Sequence, residues 1–156
     1  MGRTLQSARL KRAQDYLTSF STGDPDSVIA HVHDEFKNVH LGVLGKGCPT
    51  RAAYRERLFG FLGGFQDIVY KVIAIVGEGD SVACRYEFQF SQDGVRFSIP
   101  GMMWFDFVDD LISRRVDCWD GLAYAAQANL SGDALAAMIQ PASPSAQPGD
   151  VPKRKA

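Results

Sequence analysis

The chain has 156 residues, 46% of them hydrophobic and 22% charged, which suits one globular domain with a real core and leaves little room for a second. A formal net charge of −1 gives no reason to expect nucleic acid or an anionic membrane as a partner. Cys48, Cys84 and Cys118 lie far apart, so they spell neither a zinc site nor a disulfide framework, and free thiols in a reducing, cytoplasmic setting are expected. The first residues carry no apolar signal-peptide run, and no segment approaches the roughly 18 apolar residues of a membrane span.

The elements follow in chain order. Leu10, Ala13, Leu17 and Phe20 recur at helical spacing, with Leu5 a turn earlier, and predict an opening helix. Asp24, Pro25 and Asp26 restart a short helix as N-cap, first position and first-turn acid. "EFKNVHLG" alternates like a strand, and "GKGCPTRAAYRERLFGFLGGF" reads as a loop feeding a helix with Ala53, Leu58, Phe61 and Leu62 inside. From Gln66 the period becomes two. Strands "IVYKVIAIV", "SVACRYEFQF", "VRFSIPGMMWFDF" and "LISRRVDCWD" are separated by the turns "GEGD", "SQDG" and "VDD". Pro100-Gly101 predicts a bulge or bend in the third of these. "GLAYAAQ" and "SGDALAAMI" predict a short closing helix pair. The expected domain spans residues 1–140, and the proline-rich stretch 141–156, ending in "KRKA", is expected to be a disordered tail. Helices first and strands after predict an α+β fold, with helices packed on one face of a bent antiparallel sheet and a pocket at the mouth of the resulting cone.

Strand parity selects what faces that pocket. Leu111, Ser113, Arg115, Asp117 and Trp119 share one face of the last strand; Phe36, Asn38 and His40 share one face of the first. In "SVACRYEFQF" the faces are Val82, Cys84, Tyr86, Phe88 and Phe90 against Ala83, Arg85, Glu87 and Gln89. Either the apolar five are core and Arg85 and Glu87 meet water, or Arg85 and Glu87 line the cone and the apolar five meet a second subunit.

The order and spacing of "AQDYLTSFSTGDPDSVIAHVHDEF", "GKGCPTRAAYRERL", "CRYEFQF", "SIPGMMWFDFVDDLI" and "RVDCWDGLAYAAQ" resemble the NTF2-like group that includes ketosteroid isomerase, SnoaL-like polyketide cyclases and limonene-epoxide hydrolase. The resemblance covers about residues 5–128 and implies the cone-shaped NTF2-like (cystatin-like) fold. Tyr16 falls where ketosteroid isomerase has its tyrosine, but Asn38 and Met103 stand where its two aspartates would be, and neither can do their chemistry. The epoxide-hydrolase pattern is met by Arg85-Tyr86-Glu87, Asp117 and Phe36-Lys37-Asn38, with the family's first-strand tyrosine absent and one aspartate replaced by Glu87. That resemblance implies Asp117 as base on a water, Asn38 orienting it, Glu87 as acid and Arg85 bridging the carboxylates. His40 is a second candidate base, and Phe36, Phe61, Met103 and Trp119 are candidate lining for a small apolar or aromatic molecule. His31, His33 and His40 show no metal-ligand pattern, and neither metal nor cofactor is expected. The expectation is a cofactor-independent acid–base enzyme of hydrolase, lyase or isomerase type. The alternative is a non-catalytic ligand-binding or dimerisation module. A homodimer through the face bearing Cys84, Tyr86, Phe88 and Phe90 is expected with it.

Overall fold

The computed structural model describes residues 2–139, and the expected tail lies outside them. Helix α1 (Gly2–Ser19) runs into a 3-10 turn (Phe20–Thr22) and then α2 (Pro25–Ile29). Strand β1 (Val32–His40) and helix α3 (Arg51–Gly64) follow. The meander is β2 (Gln66–Glu78), β3 (Ser81–Gln92), β4 (Val95–Val108) and β5 (Leu111–Trp119), closed by α4 (Gly121–Gln127) and α5 (Gly132–Met138). The five strands form one bent sheet in the order β1-β5-β4-β3-β2, antiparallel throughout except that β1 and β5 run parallel. The architecture is α+β, with the N-terminal helices on the concave face.

Local chemistry sets the boundaries. The Asp24 carboxylate accepts from the backbone N–H groups of Asp26 and Ser27 and starts α2 at Pro25. Thr50, Asp120 and Ser131 do the same for α3, α4 and α5. Such caps are each worth about 1 kcal/mol. The hairpins turn at Asp93-Gly94 and Asp109-Asp110, with positive φ at both residues of each pair, matching the right-handed twist of the flanking strands.

Four expectations are corrected. In α3 the buried position is Tyr54, not Ala53; Leu58 and Leu62 are buried as expected. In β3 the core face is Val82, Cys84, Tyr86 and Phe90, with Phe88 half-buried beside them, while Ala83, Arg85, Glu87 and Gln89 lie on the outer face. Five apolar side chains bury more favourably than a face carrying two charges. Cys84, Tyr86, Phe88 and Phe90, expected to face a second subunit, instead pack inside their own chain. Finally, β4 continues through Pro100-Gly101 without a register shift against β3. Pro100 sits just where β5 has ended, and its carbonyl accepts from the Asp120 N–H at 3.0 Å. The missing proline N–H falls on that open side and costs no ladder hydrogen bond.

Gly101 has a packing role. A Cβ there would fall inside the ring and hydroxyl of Tyr86, closer than real contacts allow. Gly60 on α3 has open space instead. Gly101→Ala is expected to destabilise by about 1–3 kcal/mol through forced repacking, and Gly60→Ala to stabilise by up to about 1 kcal/mol. Urea denaturation of both variants checks the pair, and equal effects would refute the Tyr86 contact.

Candidate functional site

The concave face encloses a cavity of about 260 Å³. Its wall is aromatic: Phe20, Phe61, Phe65, Phe88, Phe90 and Trp119 all reach it. Its floor is polar and comes from both ends of the chain. Asn38 and His40 project from β1, Arg115 and Asp117 from β5. The parallel pairing of these strands sets Asn38 opposite Arg115 and His40 opposite Asp117. Alternation along β5 then turns Arg115, Asp117 and Trp119 to the same side.

Arg115 and Asp117 are 4% and 2% exposed, so neither charge meets bulk water. The Arg115 guanidinium donates to Asp117 Oδ2 at 2.5 Å, and the Tyr86 hydroxyl donates to Asp117 Oδ1 at 2.5 Å. Arg115 also reaches the hydroxyls of Tyr16 and Tyr54, each at 3.4 Å, and these two phenols share a 2.5 Å hydrogen bond. Its guanidinium carbon lies 5.9 Å from the Phe20 ring centroid, over the ring. Burial raises the pKa values of Tyr16, Tyr54 and Tyr86, with the Asp117 charge adding to the rise at Tyr86. All three phenols are therefore neutral hydrogen-bond donors at physiological pH.

His40 behaves differently. Burial, then the Arg115 charge, lowers its pKa to about 4, so the imidazole is neutral at pH 7. Its Nδ1 stands 3.9 Å from Asp117 Oδ2 and has no protein partner. Its Nε2 lies 3.4 Å from the Asn38 amide nitrogen, and Asn38 Oδ1 is likewise unpartnered. The ring is held from behind by Gly45, where any Cβ would overlap it. Three buried polar atoms of the floor residues, His40 Nδ1, Asn38 Oδ1 and Arg115 Nε, thus lack a hydrogen-bond partner, which a ligand or water could supply.

The structure brings together Asp117, Asn38 and His40, and adds Trp119 and Phe61 as wall. Tyr16 sits one layer behind, donating to or accepting from Tyr54, which itself lines the cavity. Phe36 and Met103 are fully buried core residues; Phe36 packs on Tyr54 with ring centroids 4.8 Å apart. Arg85 and Glu87 are outside the site, on the outer sheet face, where Glu87 lies 3.8 Å from Lys71. The arginine of the site is Arg115 instead. Its parity with Asp117 was the available signal, and the match of Arg85-Tyr86-Glu87 to a relative's strand pattern obscured it. Tyr54 and Tyr86 were also missed. Tyr54 lies one turn before Leu58 on the inner helix face, and Tyr86 sits at the centre of an apolar face. Among the described residues no group of His, Cys, Asp and Glu is arranged to hold a metal, and no helix is long and apolar enough to cross a membrane.

A bent sheet over N-terminal helices is the ketosteroid isomerase-like fold. The sequence matches the SnoaL-like domain family over residues 13–115, and the chain belongs to that family. No curated protein matches it. Among solved structures it is similar to a hypothetical protein of ketosteroid isomerase-like fold from Catenulispora acidiphila, solved with trimethylamine: TM-score 0.71, 13% identity, covering 78% of this chain and 95% of that one. An LEH-like epoxide hydrolase from M. tuberculosis superposes at TM-score 0.70 with 16% identity over 85% and 96% of the two chains. A candidate polyketide cyclase from Xanthomonas campestris pv. campestris gives 0.69 with 20% identity over 79% and 98%. At these identities the likeness is one of fold.

The depressed His40 pKa has a consequence for stability. Above the unfolded value of about 6.5 the ring is neutral in both states. As pH falls from there toward 4, only the unfolded chain takes up the proton, and stability is lost over that window. His31, also depressed by burial, contributes in the same direction. His40→Gln is therefore expected to flatten the fall in denaturation midpoint between pH 6.5 and 4 without abolishing it. An unchanged slope would show that His40 titrates normally in the fold.

Proposed function

We propose that the protein is a cofactor-independent SnoaL-like enzyme that moves a proton on a small, mostly apolar molecule held in the cone. The observation that carries this is the neutral His40 with an unpartnered, buried Nδ1, 3.9 Å from the buried Asp117 carboxylate, on two residues that line one aromatic cavity. Both Asp117 oxygens already accept hydrogen bonds, while the His40 ring nitrogen Nδ1 has no hydrogen-bond partner. His40 takes the proton, directly or through one water, and Asp117 stabilises the imidazolium as it forms. Asn38 positions the water or substrate oxygen. Tyr54, backed by Tyr16 and Arg115, is the neutral donor that meets negative charge developing on a substrate oxygen. Hydrolysis of an epoxide, aldol-type closure or cleavage, and isomerisation all fit this apparatus. The three unpaired thiols suit the reducing cytoplasm as its compartment.

The test begins with a turnover screen of small epoxides, β-hydroxy ketones and polycyclic ketones. On any substrate found, His40→Gln is expected to lower kcat by about 10²–10⁴-fold, the usual loss for an acid–base group, and Asp117→Asn by at least about tenfold. Full turnover in His40→Gln with loss in Asp117→Asn would make the carboxylate itself the base. Full turnover in both would leave a binding module.

We also propose a homodimer, on the outer sheet face rather than the inner one. Val76, Ala83, Trp104 and Val116 succeed one another across four strands, with Met102 beside Cys118 in the next row. Met102 and Trp104 are 57% and 48% exposed. Arg85, Glu87 and Arg114 border the stripe with both signs of charge, as a self-complementary two-fold contact requires. Sedimentation at micromolar concentration is expected to show a dimer that Trp104→Glu dissociates. A monomeric parent protein would overturn it.

A further inference from the structure

We infer that the substrate is an acid: an apolar, aromatic-stacking body carrying a carboxylate that docks at the mouth of the cone on Lys46 and Arg57. This rests on the pocket reading above and adds to it the polarity of the ligand's outer end. The cavity is lined by three cations, Lys46, Arg57 and Arg115, against one carboxylate, Asp117. An excess of two positive charges therefore sits in one cleft of a chain whose formal net charge is −1. Asp117 neutralises Arg115 on the floor, so the uncompensated charge is at the rim. A cleft with low-dielectric walls concentrates that field on whatever enters.

The rim cations are placed by structure rather than scattered. Arg57 projects from α3 and donates through Nη1 to the Lys46 carbonyl, with Cys48 Sγ 3.8 Å away. That contact clasps the loop between β1 and α3 to the helix. The same loop is pinned to β1 by paired backbone bonds between Asn38 and Cys48, at 2.9 and 2.8 Å. Leu44, Gly45 and Lys46 consequently form one side of the mouth, and Tyr124 and Met138 also line the cavity. The Arg57 charge is also the smallest of the causes that lower the His40 pKa, so Arg57 stands within electrostatic reach of the ring. A carboxylate at the mouth leaves the aromatic body against Phe61, Phe65 and Phe88 and the reacting end at His40 and Asn38. An ammonium at the same end would meet like charge.

Isothermal titration of the full chain with 2-naphthylacetate, its methyl ester and 2-naphthylmethylammonium tests this, because the three share one body. The acid is expected to bind at least about tenfold more tightly than the ester, and the ammonium most weakly. The acid:ester ratio is expected to fall to near one in the Lys46→Gln/Arg57→Gln variant, and toward one in high salt. The acid preference should persist in Asp117→Asn, which separates docking from proton transfer. Ester binding equal to acid binding overturns the carboxylate inference and leaves the acid–base reading standing. An acid preference that survives Lys46→Gln/Arg57→Gln overturns the assignment to the mouth. Failure of all three compounds to bind overturns both the inference and the pocket reading beneath it.

Discussion

The buried ion pair between Arg115 and Asp117 is the constraint around which the interior is arranged. Two opposite charges at 4% and 2% exposure survive only where their lone pairs and N–H groups are largely met, and of this pair only Arg115 Nε lacks a hydrogen-bond partner. Tyr86 supplies one donor, Tyr16 and Tyr54 supply acceptors, and the Phe20 face covers the guanidinium. Removing one partner of such a pair costs about 3–5 kcal/mol, because the other is stranded. Those partners come from α1, α3 and β3, so the ionic pair ties three separate elements to β5. The absence of a side chain at Gly101 follows from the same pair, since Tyr86 can reach Asp117 only by lying over that glycine.

What makes the pair chemically interesting is its asymmetry toward the cavity. The Arg115 side meets two phenols and leaves its Nε–H without a hydrogen-bond partner, while the Asp117 side faces a neutral imidazole whose Nδ1 has none. The aromatic wall strengthens these interactions by keeping the surroundings poor in water. The wall itself is continuous stacking: Phe97 on Phe90 and Phe88 on Tyr70 run from the α4 side toward α1.

Much of the fold was legible because it rests on local rules. Asp24, Thr50 and Asp120 cap helices for reasons visible in three-residue windows. The turns at Asp93-Gly94 and Asp109-Asp110 announce themselves by residue type. Asp117, Asn38, His40 and Trp119 were expected in the cone from parity together with the family resemblance, and Phe61 from helical spacing, and all five line the cavity. The failures have one source. Parity says which residues share a face but not which face is in, and Arg85 and Glu87 were turned inward on a pattern borrowed from a relative. The apolar content of the opposite face was the stronger physical argument. Arg115 stood two residues before Asp117 all along, but an arginine in an "SRR" run looks like solvent-facing charge until the parallel β1–β5 pairing covers it. Such pairing between strands about 75 residues apart leaves no local trace.

That pairing governs the order of assembly as the protein is made. His40 and Asp117 are register partners across β1 and β5, and Tyr16, Tyr54 and Tyr86 wait on earlier elements. While β5 is still within the ribosome, the nascent chain carries the phenols and most of the aromatic wall but neither member of the ionic floor. Contacts of such long sequence separation form late, after their loop-closure entropy has been met. The last strand therefore supplies both charges of the floor after the phenols that surround them have been made. A chain stalled before residue 115 is not a weaker version of the site but an open aromatic trough, exposed to chaperones and to aggregation.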